Sequence, residues 1–269
     1  MEISVVIRCG DDPRVFDCID SVDEDVDIIV STSENVAFEK LLKERGIRYC
    51  LSPRKNLSLT SNIGFEHAIH DKVIITDSDT VFEKGCIRKM FYALDNYKIV
   101  RSKLKFDVSK KIASSKLVAG ARDFVNSKEL AFTPGIGVRK DLLDDIGGFL
   151  FNDVVPFAVD ADLNYRVKRS GVKVGYLKDA VITHCAESIL HDLKAAKRIG
   201  SGVRISSESL STKYGVSKKS IRRSLKAVHS SDYIKIIRTK GLFTFFYQIL
   251  WDTCYHIGSI SRKIGRRTS

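Results

Sequence analysis

The sequence has no C-x-x-C pair, no internal repeat, no long linker and no uncharged apolar run long enough to cross a bilayer. Its six cysteines (Cys9, Cys18, Cys50, Cys86, Cys185 and Cys254) are scattered. That usage argues for reduced thiols and against a disulfide scaffold or a structural zinc site. The first residues, MEISVVIRCGDD, lack a basic segment followed by an apolar one, so no signal peptide is expected. The longest aromatic-apolar run, GLFTFFYQILW at 241–251, is about half of the ~20 residues that a spanning helix needs. Acidic residues are scarce in the last third. Residues 191–269 hold 4 Asp and Glu against 17 Lys and Arg, whereas residues 1–190 hold 29 against 28. The net charge of +12 therefore sits in the tail, where it implies an anionic partner or surface. Added solubility is the blander alternative.

What remains is a globular composition. With 269 residues, 43% hydrophobic and 9% aromatic, the chain can bury one large α/β core plus a tail, or two small domains. β-Branched runs at 3–8, 26–31, 47–51 and 73–76 alternate with helical patterns at 36–45 and 61–70. Such alternation, with little polar spacing inside the strands, predicts a mostly parallel sheet with helices on both faces. Ligands of such sheets bind at the carboxyl ends of the strands. Further on we expect a helix at 84–96, a strand at 98–106 and a helical stretch at 110–130. A loop then leads into a short strand at 132–138, and a helix at 160–170 precedes strands at 173–177 and 180–184. Composition turns basic and helical beyond 190. This divides the chain into a catalytic domain at 1–190 and a helical C-terminal extension at 191–269.

The chemistry-bearing residues fall at strand ends and helix starts. Asp77-Ser78-Asp79, a D-x-D motif, follows the apolar strand VIIT directly. Paired carboxylates there suit Mg²⁺ or Mn²⁺, which take oxygen ligands and commonly share them with substrate phosphates. Asp160 and Asp162 open the 160–170 helix, where an Asp serves either as a cap or as a general base. His184 ends the strand AVITH, and a histidine there is as readily structural as ligating.

In combination these pieces resemble the family 2 inverting glycosyltransferases, which have the GT-A fold, a Rossmann-like architecture. The resemblance spans roughly residues 3–185. It is carried by Ser61-Asn62-Ile63-Gly64, Asp77-Ser78-Asp79-Thr80, Pro134-Gly135-Ile136-Gly137, the Gly147-Gly148-Phe149 turn, Asp160-Ala161-Asp162-Leu163, Arg166, Gly171 and His184. It implies a divalent cation (Mn or Mg) held by Asp79 and His184, with Asp77 at both the ribose and the metal. It also implies Asp160 as catalytic base, with Arg8, Cys9 and Asn62 near the nucleotide and Gly135 and Gly137 giving room for the sugar or acceptor. The reaction implied is a single in-line displacement with inversion, from a nucleotide-sugar donor to a hydroxyl or lipid-linked glycan acceptor. Three positions depart from the family pattern. Val159 stands where an acid usually precedes the base, Ser61 replaces an arginine, and Ser31-Thr32-Ser33 ends the second strand where an aspartate often reads the base. The processive Gln-x-x-Arg-Trp signature is missing, Trp251 being the only tryptophan, so one sugar per acceptor is expected.

In the tail, apolar residues from Leu242 to Trp251 lie between Lys235, Arg238 and Lys240 on one side and Arg262, Lys263, Arg266 and Arg267 on the other. An aromatic helix between basic clusters fits peripheral attachment to an anionic membrane. Localisation is then cytoplasmic, on the inner face, with a polyprenyl-phosphate-linked acceptor within reach. A helix packed back on the protein is the plainer alternative. Residues 205–228 also resemble a helix-turn-helix, although nucleic acid is the less favoured partner. A nucleotidyltransferase of similar fold is the remaining alternative. It would need a Gly-rich basic loop after the first strand, of which Arg8-Cys9-Gly10-Asp11-Asp12 is a poor version.

Overall fold

A computed structural model describes residues 1–53, 56–108 and 113–261. The chain forms two compact units. The first comprises residues 1–105, 129–153 and 166–184, and the second comprises 106–128, 154–165 and 185–269. The second unit thus draws in two stretches upstream of position 190.

The first unit is built on an eight-stranded sheet. Its strands are β1 (Ile3–Arg8), β2 (Asp27–Ser33), β3 (Tyr49–Ser52), β4 (Lys72–Asp77), β5 (Thr80–Phe82), β6 (Ile99–Asp107), β7 (Ile136–Arg139) and β8 (Val174–Cys185). They lie in the order β3-β2-β1-β4-β7-β6-β8-β5. β1 to β4 pair in parallel, and all six residues of β1 are buried, as a strand covered on both faces requires. Beyond β4 the pairing turns antiparallel, β7 with β4 and β6, and β5 with β8. The sheet is therefore mixed, parallel in the part where strands and helices alternate. Only Ser78 and Asp79 separate β4 from β5, yet β5 pairs with β8 and not with β4. The two strands expected at 173–177 and 180–184 are one continuous β8.

Helices α1 (Val15–Asp20), α2 (Val36–Glu44), α3 (Leu57–His67), α4 (Cys86–Ala93) and α6 (Leu142–Ile146) also lie in this unit. Asn35 and Asn56 start α2 and α3 by accepting bonds from Phe38 N and Leu59 N, both at 3.2 Å, the usual service of an N-cap amide. α3 begins four residues earlier than its apolar pattern shows, because that cap sits at 56. It packs closely on the sheet at Gly64, where a Cβ would come within 2.4 Å of Val6 Cγ1.

The second unit is helical. It holds α5 (Ala113–Asn126), the first part of α7 (Val159–Ser170), α8 (Ile189–Tyr214), α9 (Lys218–Leu225), α10 (Asp232–Lys240) and α11 (Leu242–Ile260). α8 and α11 touch backbone to backbone. A Cβ on Gly200 would lie 1.9 Å from Tyr255 O, and one on Gly258 would lie 2.0 Å from Lys197 O. Val203, Leu210, Ile221, Leu225 and Trp251 form the core beside them. Residues 205–228 fold as the end of α8, a turn at Gly215 (φ 65°) and α9. The first helix of this pair is thus 26 residues long, not the short element of a small DNA-binding module. Among the described residues no helix is long and apolar enough to cross a membrane. Arg262, Lys263, Arg266 and Arg267 of the basic flank lie outside the described residues.

Candidate active site

The carboxyl ends of β1, β2 and β4 open on a pocket of about 360 Å³, which takes in Arg8, Cys9, Asp12, Ser33, Asp77, Asp79 and His184. Asn56, Leu57 and Thr60 at the start of α3 also line it. This is the position that the topology of a parallel sheet assigns to a ligand. Of the residues singled out in the sequence, it gathers Arg8, Cys9, Asp77, Asp79 and His184.

Asp79 and His184 meet there. His184 Nε2 lies 3.1 Å from Asp79 Oδ2, and both side chains are less than one-fifth exposed. The antiparallel register that sets Thr80 opposite His184 in β5 and β8 brings them together. Burial alone would raise the Asp79 carboxyl, but the His184 hydrogen bond and the charges of His184 and Arg14 outweigh it and hold Asp79 below its ordinary range. Asp79 is therefore a fixed anion at neutral pH.

Asp77 has a different partner. It accepts from Arg8 Nε and, at 3.2 Å, from Arg8 Nη2, a two-pronged charge-assisted pair. Arg8 is almost fully buried. Its other bonds reach Thr133 Oγ1 at 2.6 Å and Ser61 Oγ at 3.5 Å. Arg8, delivered from β1, thus lies beside Ser61, the position at which the family pattern expects an arginine.

Two residues in the loop from β1 to α1 escaped the sequence reading. Arg14 binds Asp12, with Nη2 2.6 Å from Oδ2, and lies 3.6 Å from Asp79 Oδ2. That hydrogen bond, ahead of other effects, holds the Asp12 carboxyl low. The Asp-Asp-Pro-Arg turn following a strand was the only signal for them. Cys9 is buried, and burial pushes its thiol up to about 11, so it lines the pocket as a neutral group and not as a nucleophile.

Asn62, Gly135 and Gly137 are not among the pocket-lining residues. The Asn62 amide is taken up by the loop after the Gly-Gly-Phe turn. It donates to Phe151 O and Asp153 Oδ1, each at 2.8 Å, and accepts from Phe151 N at 3.0 Å. Arg166 holds the same loop, donating to Phe149 O at 2.8 Å and to Leu150 O at 2.5 Å. Gly135 has φ 82°, and a Cβ there would fall 2.2 Å from Ser102 Oγ. At Gly137 a Cβ would fall 2.7 Å from Val100 Cγ2. Both glycines are required by packing within the sheet.

Asp160 belongs to the second unit, in the first turn of α7, and is half-buried. Its neighbour Asp162 is fully buried and accepts from Ser206 Oγ at 3.0 Å, which marks it as the structural acid of the two. Ala158, just ahead, has φ 60°, a left-handed conformation that costs a residue with a Cβ about 1 kcal/mol or more. Val159, at the position of the missing acid, is buried in the core.

Residues 18–129 match the family model described as Glycosyl transferase family 2. The matched segment spans less than half of the chain. It contains Asp77 and Asp79 and stops short of Gly135, Asp160 and His184. The solved structures agree on the GT-A-like fold. Crystal structures of S. aureus TarS 1–349 in complex with UDP-GlcNAc (14% identity, TM-score 0.53) and with UDP (11%, 0.51) each cover 96% of this chain and 90% of theirs. A crystal structure described as S. aureus TarS matches over 96% of this chain and 55% of that one, at 13% identity and a TM-score of 0.53. No curated protein matches the chain in sequence.

Proposed function

We propose that the protein is an inverting, metal-dependent glycosyltransferase that moves one sugar from a nucleotide-sugar donor to a hydroxyl or lipid-linked glycan acceptor. The observation that carries this is the Asp79–His184 pair, facing a pocket at the sheet's carboxyl edge in a chain whose residues 18–129 match the glycosyl transferase family 2 model. The TarS structures hold UDP-GlcNAc and UDP, so UDP-sugars are the first donors to test.

The donor set suits a hard divalent cation. Among the described residues no three His, Cys, Asp or Glu side chains are arranged to hold a metal ion. Asp79 and His184 supply one oxygen and one nitrogen 3.1 Å apart. Mn²⁺ or Mg²⁺ is commonly held by few protein ligands, with phosphate oxygens and water completing the shell. Such a cation would neutralise charge on the departing diphosphate. Asp77 is committed to Arg8, which leaves it the ribose-side role and makes Arg8 a fixed positive group on the pocket wall. Asp160 is assigned as the base. Its carboxylate takes the acceptor hydroxyl proton as that oxygen bonds to the anomeric carbon and the bond to the diphosphate breaks. The division into a catalytic domain at 1–190 and an extension at 191–269 belongs to the same proposal. So does work at the cytoplasmic face of an anionic membrane, where a polyprenyl-phosphate-linked acceptor would be presented.

The test is turnover of a panel of nucleotide sugars with Mn²⁺ or with a chelator, reading the anomeric configuration of the product by NMR. Inverted product that depends on cation supports the proposal. Retained configuration or chelator-insensitive turnover refutes it.

A further inference from the structure

α11 is amphipathic in the inverted sense. Its inward face carries Thr244, Gln248, Asp252 and Gly258 beside Tyr247, Trp251 and Tyr255, all buried. Its outward face carries Leu242 (53% exposed), Phe243 (79%), Phe246 (57%), Leu250 (47%), Ile257 (50%) and Ile260 (77%). At 100° per residue these outward side chains, with Ile249, fall within an arc of roughly 120°. Surface helices of soluble proteins place their polar residues there. An apolar strip of this kind, interrupted by exposed Thr253, marks an interaction surface.

Charge on the adjoining helix identifies the partner. α10 is held to α11 by the Tyr233 hydroxyl on Asp252 and by the Tyr233–Phe245 rings, 5.8 Å apart. It exposes Ile234 (58%) and Ile237 (38%), alternating with exposed Lys235 and Arg238. The two carboxylates of α10 and α11 are turned inward. Asp232 binds Lys128 at 2.6 Å, and Asp252 accepts from Gln248 at 3.1 Å. Among the described residues of these two helices the exposed face therefore pairs apolar side chains with cations and has no acid.

We infer that this face of α10 and α11 lies in the plane of an anionic lipid bilayer, with Phe243, Phe246 and Ile257 in the acyl boundary and Lys235 and Arg238 at the headgroups. A helix with apolar residues on one side and basic residues at the rim is the form that interfacial binding takes. A second copy is a poorer occupant, because a two-fold contact sets each patch against itself and would bring two cation-bearing, acid-free patches into one interface. The inference deepens the membrane partner of the proposal above. It is read by binding alone, so its failure leaves sugar transfer untouched.

The experiment is flotation of the full chain with vesicles of phosphatidylcholine alone, or of phosphatidylcholine and phosphatidylglycerol in equal parts, alongside sedimentation velocity without lipid. We expect binding to the acidic vesicles only, weakening as salt rises. Lys235→Ala with Arg238→Ala lowers affinity roughly fivefold per charge removed. Phe243→Ser with Phe246→Ser lowers it by about tenfold or more. Both pairs change exposed residues, and unaltered circular dichroism and melting verify the fold. Absence of binding to acidic vesicles overturns the inference. So does binding that neither variant pair weakens. A lipid-free dimer that Phe243→Ser with Phe246→Ser dissolves, with no vesicle binding, assigns the face to a second copy instead.

Discussion

Arg8 and Asp77 are register partners at the carboxyl ends of β1 and β4, and the guanidinium holds the carboxylate through two nitrogens. One of the two acids of the D-x-D turn is thereby neutralised by the protein itself, and Asp79 is left as the anion that faces His184.

If that division is right, Asp77→Asn costs stability before it costs chemistry. Arg8 is only 5% exposed, and removing the charged partner of a buried cation destabilises by about 3 kcal/mol. Urea unfolding should show that loss in Asp77→Asn. Asp79→Asn, whose oxygen faces the pocket, should change stability far less. Equal losses would mean the two carboxylates share one role.

Asp160 and Asp162 should separate in the opposite way. Asp162→Asn disturbs a buried bond to Ser206 and should lower stability by about 1–2 kcal/mol. Asp160→Asn should leave the melting temperature nearly unchanged while lowering kcat by about 100-fold or more, the scale of a lost general base. Unchanged turnover in Asp160→Asn removes it as the base.

Glu24 sets a pH dependence. Burial, then the neighbouring Asp23, push its carboxyl from 4.5 up to about 7. The folded protein thus keeps a proton that the unfolded chain has released, so the stability this group allows is greatest below about pH 4.5 and falls as pH rises through 7. Arg88, 3.7 Å away, offsets part of that loss. Glu24→Gln should be more stable than wild type above pH 7 by about 1–2 kcal/mol and should match it near pH 4. Denaturant titrations at the two pH values measure the difference, and parallel curves would contradict the shift.

Gly135→Ala should cost about 3 kcal/mol or more, since it adds a clash with Ser102 and Ile182 to an unfavourable φ. Gly148→Ala meets nothing within 4 Å at φ 87° and should cost only about 1 kcal/mol. Comparable losses in thermal melts would show that the space around Gly135 yields.

The parallel half of the sheet is legible in the sequence because buried strands are written as unbroken β-branched runs, such as ISVVIR and VIIT. The Asp79–His184 meeting is half legible, since each residue visibly ends or follows a strand, but their proximity depends on a β5 of three residues, too short to show a pattern. Arg8 and Asp77 are 69 positions apart, and nothing local announces that one will neutralise the other. Asn62 looks like a nucleotide contact by its place in a motif, yet its amide is spent on the 151–153 loop. The interleaving of the second unit is hidden for a similar reason. Segments 106–128 and 154–165 show ordinary amphipathic patterns, and only packing decides which core they join.

The most direct test is the thermal stability of wild type and Asp79→Ala with each nucleotide sugar, with and without Mn²⁺. A ligand that binds only the folded state must raise its melting temperature. Wild type should be stabilised by at least one donor in a Mn²⁺-dependent way, and Asp79→Ala should lose that cation-dependent increment. An identical response of the two proteins to every donor, or no response in wild type, would contradict the assignment of a metal-assisted nucleotide-sugar site.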